Sequence, residues 1–259
     1  MTLLLGSLLV PLQTQIESRK VSDTQKILDN AREALMGYAA AYGYFPCPAD
    51  YGDDGGFASG GAETTHTVAS GICLSAGAGR VDGGGATGGA LGVYIGYLPA
   101  VTLGFTPTDA NGYAVDAWGG TGTQNRILYA VSSTTVNTFT FPFTRTSGMR
   151  SALMSNILGT NLLSVCNTAT GSTTTACASA ATTLTSNAIA VIWSLGANAT
   201  TTGGISTDEA KNAQSRATAD RVFVMRDKSN VTATEFDDIV VWISTPLLFS
   251  RLLAAGQLP

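Results

Sequence analysis

Few side chains in this sequence can do chemistry, and the four cysteines are the most informative of them. Cys47, Cys73, Cys166 and Cys177 allow three full disulfide connectivities. Local pairing would close two loops, a Gly-rich one between Cys47 and Cys73 and the Thr-rich CNTATGSTTTAC between Cys166 and Cys177. No CxxC spacing occurs and His66 is the only histidine, so metal binding is the weaker use of these thiols. Disulfides persist in oxidising compartments, which points to an exported protein.

Catalytic signatures are sparse. His66 lies in a Gly/Thr stretch with no carboxylate, Ser or Cys spaced to form a relay, and it reads as a solvated loop residue. The glycine runs lack the GK[ST] of a phosphate loop, and GxSxG, SxxK and HExxH do not occur. Asp53 and Asp54, adjacent acids in a loop, read as solvated. The expectation is a protein that is not an enzyme.

Charge is thin, at 12% of residues with a net value of −4. Such a balance argues against a surface for nucleic acid or anionic membrane. Outside the N-terminal 45 residues, Gly, Ala, Ser and Thr dominate beside β-branched runs, a hydroxyl-rich composition suited to an extracellular protein.

The N-terminal stretch must position everything else. Residues 1–12 are uncharged and apolar, and 13–45 continue as a charged, helix-favouring segment with no Gly or Pro between 12 and 36. Leu28, Ala31, Leu35, Tyr38 and Tyr42 step by three and four along one face. Leu28, Leu35, Tyr38 and Tyr42 are therefore expected to pack on a sheet. A helix of about 40 residues spans ~60 Å, more than a domain of this size can bury, so one half should project. The projecting half is the apolar one, and its 12 residues fall short of the ~20 that cross a bilayer. It reads as the end of a membrane segment or as a helix for packing against copies of itself, with an ordinary core helix as the rival.

Further along, the helix should stop near Gly43, before Pro46 and Pro48. Residues 50–95 read as a long loop, with Cys73 as its tether. Strands are expected at 127–131, 138–143, 188–195, 221–225 and 239–243. Ser147 is a candidate cap for a short helix carrying Met149, Leu153 and Ile157. A closing helix should have Thr245 as N-cap, Pro246 in its first turn and Gly256 at its stop. The order predicts an α+β fold: a long N-terminal helix packed on an antiparallel β-sheet with long Gly/Thr-rich loops. The division is a helix over 1–45 and a globular head over 46–259.

Several segments carry a family resemblance. The apolar helix with Pro11 near its middle is followed by QIESR (15–19) and an Ala/Tyr-rich end, and it resembles the first helix of type IV pilins and type II secretion pseudopilins. YFPCPAD (44–50), GYLPAVTLGFTPTDANGYAVDAWG (96–119), NRILYAV (125–131) and FDDIVVWIS (236–244) resemble segments of large pilin-like proteins. The family's leader, its cleavage-site glycine and an early helix glutamate have no counterpart in this sequence. Matching Pro11 to the family's proline places them upstream of Met1; the rival expectation is a true start at Met1.

The resemblance implies a structural subunit, a pilin or pseudopilin. Its assembly helix would use Leu3, Leu4, Leu5, Leu8, Leu9, Pro11, Leu12 and Ile16. Its partners would be copies of itself or other pilins in a helical filament, after residence in the inner membrane. The filament would be extracellular or a periplasmic pseudopilus. The late loops, SLGANATTTGGISTDEA (194–210) and FDDI (236–239), are similar to the calcium loop of major pseudopilins. That implies a calcium site at Asn198, Asp208 and Asp237 or Asp238, with Asn198 standing where the family has Asp. A competing class is a membrane-tethered adhesin or carbohydrate-binding module, in which Tyr94, Tyr97, Tyr113, Trp118 and Trp193 would stack on sugars.

Overall fold

The first helix forms because residues 12–36 lack helix breakers, and it ends where glycine allows the chain to reverse. In the computed structural model α1 spans Thr2–Tyr42. The Gly43 N–H returns to the Ala39 carbonyl at 2.8 Å with φ +78°, a left-handed stop that Pro46 and Pro48 make final. The structure describes residues 2–50, 61–74, 92–119, 123–136, 138, 140–151, 154–158, 160–199, 206–214, 220–231 and 233–258, with the side chains of α1 described from Gln13 onward.

After α1 come β1 (Thr65–Thr67), β2 (Ile72–Leu74), β3 (Val93–Tyr97), α2 (Ala100–Leu103) and β4 (Leu128–Ser132). Then follow α3 (Gly148–Ser151), α4 (Met154–Leu158), β5 (Leu163–Cys166), β6 (Thr183–Ser194), α5 (Thr207–Asn212), β7 (Val222–Val224), β8 (Ile239–Ser244) and α6 (Thr245–Ala254). The fold is α+β. The main sheet runs β3-β4-β6-β5-β7, with β8 also on β6. Every pairing is antiparallel except β5 with β7, so the sheet is mixed. Val191 of β6 pairs with Ala130 on one side and Trp242 on the other, while Ala188 meets Leu163 and Ser244. Strands β4 and β5 thus follow one another along one edge of β6, and β8 lies along the opposite edge.

Strand alternation sorts the sheet into two faces. Tyr129, Val131, Ala190, Ile192, Val241 and Ile243 face α1. Ile95, Leu128, Ala130, Val191, Trp193 and Val240 form a second core on the other face, where Phe223 of β7 meets the Trp193 ring at 4.9 Å. Thr24, Leu28, Ala31, Leu35, Met36 and Ala39 are the buried stripe of α1. They lie against β8 and β6, with α6 alongside.

Several expectations change at this level. Leu28 and Leu35 are fully buried, but Tyr42 is 57% exposed. As the last helical residue it has run past the sheet, and its ring packs on Tyr38 at 4.4 Å. The described residues of the 138–143 stretch do not form a strand. Thr138 and Phe141 take φ +73° and +53°, left-handed values incompatible with an extended run. Phe141 instead covers Gly71, where a Cβ would lie 2.7 Å from the Phe141 carbonyl oxygen.

Helices α3 and α4 lie where a helix was expected after Ser147, and Ser147 at φ +59° offers its carbonyl to Ser151 rather than a side-chain cap. Leu153 lies outside the described residues. Thr245 is the first residue of α6 rather than its cap, which is Ser244, and the Thr245 hydroxyl donates to the Asn187 carbonyl at 3.0 Å. The stretch read as one loop over 50–95 contains the hairpin β1–β2 and most of β3; its Gly-rich parts, with Asp53 and Asp54, lie outside the described residues. Strand β5 had no expectation at all.

Candidate metal centre

Four pieces of chain converge at the end of β6. Ser194 closes the strand and its hydroxyl donates to Asp116 at 2.7 Å. The chain then turns at Gly196, whose φ of +69° and lack of a side chain are both required: a Cβ there would lie 2.4 Å from Asp237 Oδ1. This close approach lets the Ala197 N–H donate to Asp237 Oδ2 at 2.9 Å. Asn198 donates through Nδ2 to Glu209 Oε1 at 3.0 Å. Glu209 is held in the first turn of α5, where its N–H donates to the capping Ser206 hydroxyl at 3.2 Å. The Asp237 N–H donates to the same Glu209 Oε1 at 3.1 Å.

The outcome is a cluster of Glu209, Asp237 and Asp238 in which one carboxylate oxygen from each lies within 4.8 Å of the others. Glu209 is 1% exposed and Asp238 6%. Asn212 Nδ2 donates to Asp238 Oδ2 at 2.8 Å, yet Asp237 Oδ1 is buried without a hydrogen-bond partner. An ionised oxygen in that position is costly unless a proton or a cation meets it. Burial raises the Asp237 carboxyl to about 6, and nearby Glu209 adds to the rise against the lowering effect of the Ala197 N–H. Burial drives Asp238 well above its ordinary value, with Glu209 and Asp237 adding to the effect.

Each of the three residues offers one carboxylate oxygen to the cluster. Calcium takes about six to eight at roughly 2.3–2.6 Å, so two of its ligand oxygens can stand up to ~5 Å apart. The spacing and the all-oxygen donor set suit a hard cation and not zinc, which favours nitrogen and sulfur.

The sequence-predicted ligands fall out unevenly. Asp237 and Asp238 are in the cluster, and Asn198 orients Glu209. Asp208 is not there. Its carboxylate is occupied by Arg226 Nη1 at 2.7 Å, the Thr168 hydroxyl at 3.0 Å and the Ala169 N–H at 2.6 Å. Glu209, one residue on, was missed, because adjacent helical residues point about 100° apart and only one of the two can face the loop.

No protein-family model, curated protein or solved structure matches the chain.

Two other groups of interest are structural. All four cysteines are bonded, Cys47 to Cys73 and Cys166 to Cys177, in the local pattern. Cys47, Glu63 and His66 cluster, but the sulfur belongs to the disulfide and is no thiolate ligand. His66 is not a solvated loop residue. Its side chain is 5% exposed, with Nδ1 3.1 Å from Glu63 Oε2 and Nε2 2.6 Å from the Thr144 carbonyl. It ties the β1–β2 hairpin to the turn that covers it.

The aromatic residues named for sugar stacking are largely core. Tyr94 and Trp193 are fully buried, Tyr113 is 1% exposed and Tyr97 6%. Arg126 lies over the Tyr113 ring at 3.9 Å and is held by Asp109 at 2.8 Å. Trp118 is half-buried. Of the five, Trp118 alone keeps partial exposure.

Proposed function

We propose that this chain is a structural subunit, of the pilin or pseudopilin class that its segments resemble, assembling through the N-terminal half of α1. The division of α1 at Thr24 is the observation that carries the reading. From Thr24 onward the helix buries a continuous stripe in the head. From Gln13 to Asp23 no residue is buried, and Ile16 is 49% exposed. One helix therefore performs two tasks, anchoring by its second half and offering its first half to another molecule. The buried half is fixed by Thr24, whose hydroxyl accepts from the Ala117 N–H at 3.1 Å, and by Arg251 with Glu33 at 3.0 Å.

In this reading Leu3, Leu4, Leu5, Leu8, Leu9, Pro11 and Leu12, whose side chains lie outside the described residues, continue the assembly surface from Ile16. The units are the helix over 1–45 and the head over 46–259. The subunit resides in the inner membrane and then in an extracellular filament or periplasmic pseudopilus, packed against copies of itself or other pilins. Transfer from lipid to a bundle of similar helices changes apolar burial little. Among the described residues no helix is long and apolar enough to cross a membrane. The two disulfides support export to an oxidising compartment. Calcium at Glu209, Asp237 and Asp238 would pin the β6 turn to the loop before β8.

The test is negative-stain imaging of sheared surface material from the source cells, with intact-mass analysis of the subunit. Thin filaments built of this chain are the expected result. A monomer throughout, with no filaments in any fraction, would remove the assembly reading.

A further inference from the structure

A second set of ligating groups gathers just beyond the end of α1, apart from the acidic cluster. His66 and Cys73 are cross-strand partners in the β1–β2 hairpin, and residues paired in this way present their side chains on one face. Cys47, bonded to Cys73, and Glu63, just before β1, meet them there. Cys47 Sγ, one Glu63 carboxylate oxygen and one His66 ring nitrogen lie within 4.8 Å of one another. Both cysteines are fully buried, and the Tyr44 ring stands edge-on to the His66 ring at 5.3 Å. Among the described residues no such group includes Cys166 or Cys177.

The hydrogen bonds of His66 leave a place for a cation. The Thr144 carbonyl, 2.6 Å from Nε2, can only accept, so Nε2 carries a hydrogen. Nδ1 then faces Glu63 Oε2 at 3.1 Å, an oxygen that already accepts the Cys47 N–H at 3.0 Å. A ring lone pair and a carboxylate oxygen at that distance need a proton or a metal ion between them. A histidine whose far N–H is fixed on a backbone carbonyl is also set up as a metal ligand, because the bond settles which nitrogen offers its lone pair. Sulfur, imidazole and carboxylate together suit zinc rather than calcium or magnesium.

We propose that the reduced chain binds a zinc ion through Cys47, Glu63 and His66, with the freed Cys73 thiolate as fourth ligand. The ion and the Cys47–Cys73 disulfide are then alternative closures of one loop. Binding releases the protons of the two thiols and any proton held between Nδ1 and Glu63. Oxidation by a disulfide RSSR reverses it: the two zinc thiolates give up two electrons, the Cys47–Cys73 bond forms, and zinc leaves along with two thiolates RS⁻. Either closure ties β2 to the chain that leaves α1, so residues 47–73 are looped before oxidation as well as after it. The inference does not depend on assembly.

The experiment uses the full chain under anaerobic conditions, oxidised and after reduction by a non-chelating phosphine, with zinc or cobalt(II) added. Bound metal is measured after gel filtration, and cobalt is also read by its sulfur-to-metal charge-transfer absorption. Reduction should add one equivalent of zinc over the oxidised protein and bring in the thiolate absorption of cobalt. Cys166→Ser/Cys177→Ser should keep that equivalent, and Cys47→Ser/Cys73→Ser should lose it. Competition with a chelator should place reduced Cys73→Ser, His66→Ala and Glu63→Gln about tenfold or more below the reduced wild type in affinity. Circular dichroism of oxidised His66→Ala and Glu63→Gln, in which the disulfide still closes the loop, separates a missing ligand from an unfolded head. No added equivalent on reduction, whether or not the reduced chain keeps its fold, overturns the proposal. So does an equivalent that survives in Cys47→Ser/Cys73→Ser, or wild-type affinity in both the His66 and Glu63 variants.

Discussion

The two halves of α1 can be separated by paired truncations of one side chain each. Leu35 is fully buried between α1 and the sheet, so Leu35→Ala removes apolar contacts and leaves a cavity. Such a change costs about 2–5 kcal/mol in a packed core. Taking ~3 kcal/mol and a response of roughly 2–4 °C per kcal/mol for a chain of this size, the melting temperature should fall by about 6–12 °C. Ile16 is 49% exposed in the monomer. Since full burial of such a side chain is worth about 1.5–3 kcal/mol, Ile16→Ala should cost at most ~1 kcal/mol and move the melting temperature by a few degrees. Assembly should respond in the reverse order. Ile16→Ala should raise the concentration at which multimers form, while Leu35→Ala, assayed well below its melting point, should assemble as the wild type does. Thermal denaturation by circular dichroism gives the first readout and sedimentation the second. If Ile16→Ala melts as low as Leu35→Ala, the first half of α1 is packed within its own molecule and the division at Thr24 is wrong.

Other outcomes follow from the same geometry. Calcium at a hundredfold excess over its dissociation constant should add about 2.7 kcal/mol to stability. Calorimetric titration should show Asp237→Asn losing this response, while Asp208→Asn, although destabilised by loss of the Arg226 pair, keeps it; a lost response in Asp208→Asn would place the site elsewhere. In the metal-free protein the raised Asp237 carboxyl holds a proton in the native state that the unfolded chain has released. Its contribution is therefore complete below about pH 4 and is lost as the pH rises through about 6, and Asp238 acts in the same direction. Urea midpoints in chelator should be lower at about pH 7.5 than at about pH 5, by less in Asp237→Asn; an equal drop in that variant would rule out this carboxyl as a source. Opening the Cys166–Cys177 bond by Cys166→Ser/Cys177→Ser should cost about 3 kcal/mol from its short loop. Cys47→Ala/Cys73→Ala should cost more, because both sulfurs are fully buried and the loop is longer; the opposite ranking by urea denaturation would count against this account.

The legible parts of the fold were those set by local rules. Periodicity found Leu28, Ala31 and Leu35 of the buried stripe of α1 but not Thr24, Met36 or Ala39, and β-branched runs found β6, β7 and β8. Periodicity could not find where the sheet ends beneath a helix, and so it enrolled Tyr42. Alternation at 138–143 looked like a strand because nothing local announces that Thr138 and Phe141 turn left-handed to cover Gly71. Strand β5 is short, and its partners β6 and β7 come from later in the chain. The acidic cluster was half legible. FDDI supplied Asp237 and Asp238, but the choice between Asp208 and Glu209 depends on the phase of α5 against a loop that arrives from elsewhere. Arg226 was the missing signal: a cation close enough to claim Asp208 frees the face of α5 that carries Glu209. His66 escaped for a similar reason, since Glu63 precedes it by three residues but the Thr144 carbonyl lies far along the chain.

The order of the elements also sets a schedule. The stripe from Thr24 to Ala39 is made first, yet the strand and helix that cover it, β8 and α6, follow some 200 residues later. During synthesis α1 therefore waits with its apolar face uncovered while the intervening sheet strands emerge. Partners separated this far in sequence are also slow to meet. Slowing the ribosome within β8 should lengthen the exposure, whereas the same pause within α1 should not.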